Sequence, residues 1–539
     1  MDRVDLMPPT IGDAAPRDAL AALADAHATA PLLNCLLREV ARPAGEPDGR
    51  RVHRPGGEGD GGRVPGGECD GRRVPGGEAD GWRVHRLAAS GRLLRVRGTR
   101  RPTRPELRAD GAWRPLGHGE LVALVADELR RHTGLANPDL PAEMSDSRDV
   151  VAALLAARAG AIPPADPYLR SEQSLITGHP HHPAPKARGG GPSAGWLPYA
   201  PEAHARFPLV LLGVRADTVV EEGDTGALDA LGEAPPGYRM LPAHPWQLQL
   251  AAPALADAFA DGRLIRLGAT ASETWPTAAI RTVYAPEDDL FLKFSLDVRI
   301  TNDVRRLWEH DLRRLRRTDK AVAHAFAALG GPAAWLSDRG HRTAAFAYEE
   351  LAVVVRDGLR GPVLSGATPL LAAGLVEGFD GSPLAAAADP AAWWEAYLRA
   401  VVPPALAAYA DHGVVLEAHL QNTLVAVDAD GMPVQALFRD AEGVKLLPDV
   451  TPEAGWQRLV YCLVVNHLTE VAAALAEHHP GLDPWPAARR ELARHDLPEV
   501  AALLASPTLP GKTNLLLRWT GADGAAARYL PLPNPLAGT

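Results

Sequence analysis

Over residues 290–296 every second position is apolar: Leu290, Leu292, Phe294 and Leu296 share one parity, and Lys293 and Ser295 share the other with Phe291. A period of two predicts a half-buried strand that turns Lys293 and Ser295 away from the leucines. After Ile300 the period lengthens. Val304, Leu307, Trp308, Leu312 and Leu315 fall on one helical stripe, which predicts a helix capped by Thr301, Asn302 or Asp303 with Arg305 in its first turn. Helical spacing also marks residues 120–132, 147–161 and 246–262, and strand-like runs mark 207–216 and 280–285. Beyond about residue 370, Ala/Leu-rich helical runs dominate, at 391–413 and 455–479. One hairpin interrupts them, with β-rich runs at 414–427 and 433–439 flanking the turn Asp428-Ala429-Asp430-Gly431. The expected class is α+β.

A chain of 539 residues exceeds what one core supports, so two or three domains are expected. Residues 51–86 repeat the pattern R-V-P-G-G-E-x-D-G imperfectly. With so much glycine and so few apolar side chains, the repeat cannot offset the entropy of ordering, so a flexible insertion is expected at about 45–90. A calcium-binding β-roll is the alternative, but its nonapeptide signature is missing and arginine recurs in each unit. The net charge of -10 argues against a general nucleic-acid binder, so any anion site must be local. Cys35, Cys69 and Cys462 lie far apart without a CxxC, which fits a reducing cytoplasm. The first residues are acidic and proline-bearing, and no uncharged apolar run approaches roughly 18 residues, so neither export nor membrane anchoring is expected.

Several stretches carry chemistry. Gly178–Gly190 reads GHPHHPAPKARGG, with His179, His181 and His182 followed by Lys186 and Arg188. Zinc would need neutral imidazoles in open cation space, and the lysine and arginine raise the cost of a dication there. Prolines at 180, 183 and 185 stiffen the loop, which favours a preorganised display of His, Lys and Arg toward an anion. Lys293 on its strand and Arg305 at the positive end of a helix make a phosphate or carboxylate cradle, since arginine is misplaced there unless an anion joins it. The alternative is a solvated basic helix, which the run RRLRR that follows also suits. Glu417, Asn422 and Asp440 are hard oxygen donors near the ends of the hairpin, a set suited to magnesium shared with substrate phosphates, with His419 between them. Residues 244–247 (HPWQ) surround an aromatic with an imidazole and an amide, and Arg281 and Thr282 sit on a strand. The stretch LPGKTN at 509–514 lacks the first glycine of a phosphate loop, having Ser506 in its place, and SDRGHRT at 337–343 reads as a polar loop.

Taken in order, H-P-x-H-P-x-x-K-x-R at 179–188, HPWQ, RT at 281–282, K-x-S-x-x-x-x-I-T-N-x-x-R at 293–305, E-x-H-x-Q-N at 417–422 and RD-x-EG at 439–443 closely resemble the siderophore synthetases that work independently of nonribosomal peptide synthetases, the aerobactin-synthetase-like family. The resemblance spans about residue 150 to the C-terminus. It implies a cupped hand with a thumb at 1–148, fingers at 149–370 and a palm at 371–539. It further implies an ATP-dependent ligase that adenylates a carboxylate of citrate or a citrate derivative and condenses it with an amine, hydroxylamine or alcohol. In that family pattern Arg281, Thr282, Lys293, Asn302, Arg305 and Asn422 bind ATP, and Arg305, His419 and Lys293 are catalytic. His179, His182, Lys186, Arg188, Thr301 and His419 close on the acyl substrate, and Glu417, Asn422 and Asp440 serve Mg²⁺. A homodimer is implied as well, with no nucleic-acid or membrane partner. One departure is plain: the serine often found shortly before the RT pair is absent from Thr277-Ala278-Ala279-Ile280, leaving Thr277 or Thr282 to supply a hydroxyl. Two other functions compete. HLQNTLV followed by an acidic residue resembles the catalytic loop of aminoglycoside-kinase-like enzymes, although no Gly-rich loop precedes the strand lysine. A non-catalytic citrate-binding protein is the third.

Overall fold

The computed structural model describes residues 17–45, 81–301, 303–522 and 528–537. The N-terminal part opens with the helix Arg17–Glu39 and continues into a five-stranded antiparallel meander. Its strands are Ala41–Pro43, Trp82–Leu87, Leu93–Arg97, Thr103–Ala109 and Ala112–Pro115. Alternate residues Leu94 and Val96 pack with Leu32 and Leu36 of the first helix and with Leu121 and Val125 of the helix His118–Thr133. Most of the repeat, residues 46–80, lies outside the described residues. Its last unit differs from the flexible insertion expected there. Trp82–Leu87 is a strand paired on both edges, because Trp82 and Leu87 supply the apolar anchors that the earlier units lack.

The middle of the chain forms a six-stranded antiparallel sheet beside a three-stranded one. The strand Leu290–Phe294 lies between Thr282–Ala285 and Val353–Asp357, so Thr282, Lys293 and Val354 stand in register across it. The expected alternation holds: Leu290, Leu292 and Phe294 enter one core, with Phe291 on the opposite face. That opposite face is also buried, rather than solvated. The helix expected from residue 301 begins only at Glu309. Before it, Arg299–Ile300 and Asp303–Val304 form a tight hairpin, so Arg305 is not at a helix N-terminus. The backbone groups a helix would use are taken elsewhere: the Arg305 N–H donates to the Val298 carbonyl at 3.0 Å, and the Leu307 N–H to Ser295 Oγ at 2.9 Å. Residues 337–343, expected as a polar loop, lie largely in the buried strand Asp338–Ala344, whose Asp338 and Arg342 are neutralised by Arg356 and by Glu221 and Asp229.

The C-terminal part is built on the helix Pro390–His412 and a helical rod, Pro452–His478, packed around a four-stranded sheet. Both helix Pro452–His478 and the segment Asp18–Glu39 are long and apolar enough to cross a bilayer by composition, and both are mostly buried in the fold. The rod passes through a π-helical stretch at Val460–Leu468. The hairpin is shorter than its hydrophobic run. Val414–Val415 pairs with Lys445–Leu446, and the sheet resumes only at Thr423–Val427 against Pro433–Arg439. Residues 416–422 leave the sheet because local bonds satisfy them instead: His419 Nδ1 accepts the Gln421 N–H at 3.2 Å, and Thr423 Oγ1 donates to the His419 carbonyl at 3.2 Å.

Candidate active site

A cavity of about 500 Å³ opens where the N-terminal helix, the histidine loop, the middle sheet and the C-terminal rod meet. Eleven lysines and arginines line it against eight aspartates and glutamates, a local cationic excess in a chain of net charge -10. Of the fourteen residues to which the family pattern gives a role, thirteen line this cavity, and Asn302 lies outside the described residues; His181 and the HPWQ stretch at 244–247 are not in its wall.

At one end Lys293 Nζ donates to Asp440 Oδ1 at 2.5 Å and to Glu442 Oε2 at 2.7 Å. Burial works to raise both carboxyls, and the cations beside them, Lys293 with Arg356 for Asp440 and with Arg281 for Glu442, overcome it and hold both ionised. Arg281 Nη2 also donates to Glu442 at 3.1 Å, while its Nη1 holds the carbonyls of Arg305 and Arg306 at 3.1 and 3.2 Å. That clamp fixes the segment bearing Arg305. Among the described residues no carboxylate lies within ion-pair distance of Arg305, whose Nη2 donates only to Thr301 Oγ1 at 2.7 Å. Burial and the neighbouring Arg281 push the Arg305 guanidinium down to about 10, the mark of a cation short of an anion. The surrounding backbone is strained: Ile280, Thr301 and Asp440 hold φ of 60°, 63° and 82°, costly for non-glycine residues and above all for the two β-branched ones.

His419 lies on the irregular segment 416–422. Burial lowers its pKa against the opposing pull of Glu417 and Asp440, so it is neutral near pH 7. Its Nδ1 accepts from Gln421, which leaves the proton on Nε2. Glu417 Oε1 accepts from Arg458 at 2.7 Å, and its other oxygen sits so close over Gly443 that a Cβ there would lie 1.8 Å from it. Asn422 is buried, with its N–H on the His419 carbonyl. In the histidine loop, His179 Nδ1 accepts the His181 N–H at 3.1 Å and His182 Nδ1 the Ala184 N–H at 3.3 Å. Gly178 at φ 76° admits the close approach of Lys186, whose Cε would stand 2.9 Å from a Cβ. Lys186 Nζ and Arg188 Nη2 reach the same carboxylate oxygen of Glu202, at 2.5 and 3.2 Å, so these two cations are already shared with one buried acid. Among the described residues no three His, Cys, Asp or Glu side chains are grouped as a metal ion would require.

Several wall residues were given no role from the sequence. Glu442 is the acidic residue of the RD-x-EG stretch, and Arg356 reaches Asp440 at 3.2 Å from a strand whose run Val353–Val355 reads as plain apolar. Glu202, from the short helical turn Pro201–Ala203, was silent as well. Lys512 and Asn514 belong to the LPGKTN stretch, which forms no phosphate loop: Gly511 is a strand residue packed on Leu532. Thr277 and Thr282 both line the cavity, but the Thr277 hydroxyl already donates to the Thr282 carbonyl at 2.9 Å and so has no proton left for a phosphate.

Residues 167–377 match the IucA / IucC family, and residues 391–527 match the family described as ferric iron reductase FhuF-like transporter. The cavity draws its walls from both segments. The L-2,3-diaminopropanoate–citrate ligase of Staphylococcus aureus is 29% identical over 442 residues, covering 69% of this chain and 75% of the relative. The rhizobactin siderophore biosynthesis protein RhbC of Rhizobium meliloti is 30% identical over 446 residues, covering 68% and 75%. In fold, the chain is similar to the ATP-bound aerobactin synthetase IucA of Klebsiella pneumoniae, with a TM-score of 0.76 at 21% identity over 96% of this chain and all of that one. The petrobactin biosynthesis protein AsbB of Bacillus anthracis gives the same TM-score at 16% identity, over 96% of each chain. The family match and the relatives therefore define a siderophore-synthetase class of protein. The chain belongs to the IucA / IucC family of siderophore synthetases that work independently of nonribosomal peptide synthetases.

Proposed function

We propose that this protein is an ATP-dependent ligase that adenylates a carboxylate of citrate, or of a citrate derivative, and transfers the acyl group to an amine. The observation that carries the reading is Arg305, a half-buried guanidinium without a carboxylate partner among the described residues, facing a cavity whose wall cations also include Arg281, Lys293 and Arg356. In the first step a citrate carboxylate oxygen attacks the α-phosphorus of ATP; the bond to pyrophosphate breaks, and pyrophosphate leaves with the electron pair. In the second a neutral amine attacks the acyl carbon; the C–N bond forms, the C–O bond to AMP breaks, and the nitrogen loses a proton. Neither step needs a protein nucleophile. Both need two polyanions held together and the growing phosphate charge dispersed. Arg281, Lys293 and Arg305 would take the phosphates with Thr282 beside them, while Thr301 and the Nε2–H of His419 face the acyl substrate. The cation-rich loop of His179, His182, Lys186 and Arg188 would close that pocket.

Magnesium fits the donor chemistry. Asp440 and Glu442 share one ammonium, so either can turn an oxygen to a cation, and one or two carboxylates with substrate phosphates suffice for this ion. Asp440, Asn422 and Glu417 would hold it, joined by Glu442. Bound there, Mg²⁺ would neutralise the charge of phosphate oxygens.

The division into thumb, fingers and palm at about 148 and 370 belongs to the same reading. It is supported by separate cores, one built chiefly from residues 32–144 and one wholly within 207–355. ATP as substrate, together with the free buried Cys35 and Cys462, fits the cytoplasm. The relatives named above are a ligase and siderophore biosynthesis proteins, and they lend the kinase and citrate-binder readings no support. Product analysis tests the choice: turnover with ATP, citrate and an amine is expected to give AMP and pyrophosphate. ADP would establish the kinase, and no nucleotide turnover at all the binder.

A further inference from the structure

The C-terminal rod changes its winding along its length: Pro452–Leu459 is α-helical and Val460–Leu468 is π-helical. Arg458 and His467 stand on either side of that change. Their separation makes about two and a half turns of an α-helix, which would set the two side chains on opposite faces. Here both reach the irregular segment 416–422. Arg458 Nη2 donates to Glu417 Oε1 at 2.7 Å, and His467 Nδ1 lies 2.8 Å from the Ala418 carbonyl. A π-helix, bonded from i to i+5, turns through less angle per residue, and this brings His467 round to the face that carries Arg458.

The bonds of His467 fix its tautomer. A carbonyl only accepts, so Nδ1 carries the proton, and Nε2 accepts from the Tyr397 hydroxyl at 2.5 Å. Burial holds the ring down to about 4, so it stays neutral. Tyr397 is fully buried and stacks on Trp393 and Trp394 with ring centroids 5.3 and 5.7 Å away, which fixes where its hydroxyl stands. The Ala418 carbonyl shares one peptide plane with the His419 N–H, which donates to the Glu417 carbonyl at 2.8 Å. His467 therefore grips the oxygen end of the plane from which His419 projects into the cavity. We propose that His467 is a positioning residue of the ligase: it holds the Ala418–His419 peptide so that His419 faces the acyl substrate, and Tyr397 keeps it in the donating tautomer. This rests on the ligase reading above. Neither His467 nor Tyr397 lines the cavity, so both reach the reaction through the peptide that His467 holds.

The test is citrate-dependent pyrophosphate exchange by the full chain with ATP and Mg²⁺, compared among the wild type, His467→Leu, His467→Asn and Tyr397→Phe. Leucine fills the space without a donor, so kcat/KM for citrate is expected to fall about tenfold or more while the KM for ATP holds within about twofold, since only the group facing the acid is displaced. Asparagine sets an amide N–H where Nδ1 stood and is expected to return exchange to within about threefold of the wild type. Tyr397→Phe frees Nε2 to take the proton, and its exchange is expected to fall in the same direction; it serves in place of His467→Leu should that variant fail to fold, as judged by circular dichroism. In a His419→Ala background, read at raised enzyme concentration, His467→Leu is expected to lose less than about twofold further, because the side chain it positions is gone. An unchanged kcat/KM in a folded His467→Leu, an equal loss in both backgrounds, or a His467→Asn no better than His467→Leu overturns the positioning role while wild-type exchange still stands for the ligase. Absence of exchange in the wild type overturns the ligase reading and the positioning role with it.

Discussion

Arg305 illustrates how a residue can be read correctly as a type and wrongly in its setting. Its spacing from Lys293 marked it as an anion ligand, and the macrodipole of a helix was the physical reason offered; in the fold it follows a two-residue hairpin instead, and its need for an anion comes from burial beside Arg281. Helical periodicity misled because Leu307, Leu312 and Leu315 are core residues in either conformation, and only the side chains of Ser295 and Arg281 decide where the helix starts. Arg356, and the pairing of Glu442 with Lys293, were illegible for a different reason: the partners are distant in sequence and meet only across the assembled sheets. At this scale Arg305→Ala is expected to lower kcat/KM for adenylate formation by about 10²–10³, the cost of losing a charged donor to a developing anion. Arg305→Lys should recover part of it, because a point charge replaces the planar fork. A loss below threefold in Arg305→Ala, read by pyrophosphate release in a protein of unchanged circular dichroism, would remove this residue from the site.

Among the elements, the strand Leu290–Phe294 and the second half of the hairpin were legible because a period of two survives whichever neighbours are found. The first half, 414–427, was not. An unbroken apolar run cannot reveal that His419 will bond its own backbone and pull 416–422 out of the sheet. That excursion lays Glu417 against Gly443, where the Glu417 side chain leaves no room for a Cβ. Gly443→Ala is therefore expected to destabilise the protein by about 1–3 kcal/mol through overpacking. In a Glu417→Ala background most of that cost should vanish, since the clashing carboxylate is gone; chemical denaturation of the four proteins of the cycle measures the coupling. Equal costs in both backgrounds would mean that the two residues do not touch.

For the whole molecule, the α+β class and the convergence of separate motifs were accessible from order and spacing, whereas burial was not, and burial sets the pH response. His244 and His467 are held down to about 3 and about 4 by burial, against an ordinary value of 6.5. Above pH 6.5 both folded and unfolded chains keep them neutral, and they contribute nothing. As pH falls below that value only the unfolded chain takes up the protons, so stability drops, by about 2 kcal/mol for each of these histidines at pH 5. The carboxylates of Asp440 and Glu442, depressed by Lys293, act in the same direction at still lower pH as they are forced to protonate. Urea midpoints between pH 7 and pH 5 should fall accordingly, and a flat profile would contradict the burial of these rings. The central claim is that cations from remote parts of the chain meet around one nucleotide and one organic acid. Citrate-dependent exchange of labelled pyrophosphate into ATP, measured without any amine, tests it most directly: the account predicts exchange in the wild type that collapses in Arg305→Ala, and exchange that is absent with citrate, or undiminished in the variant, would contradict it.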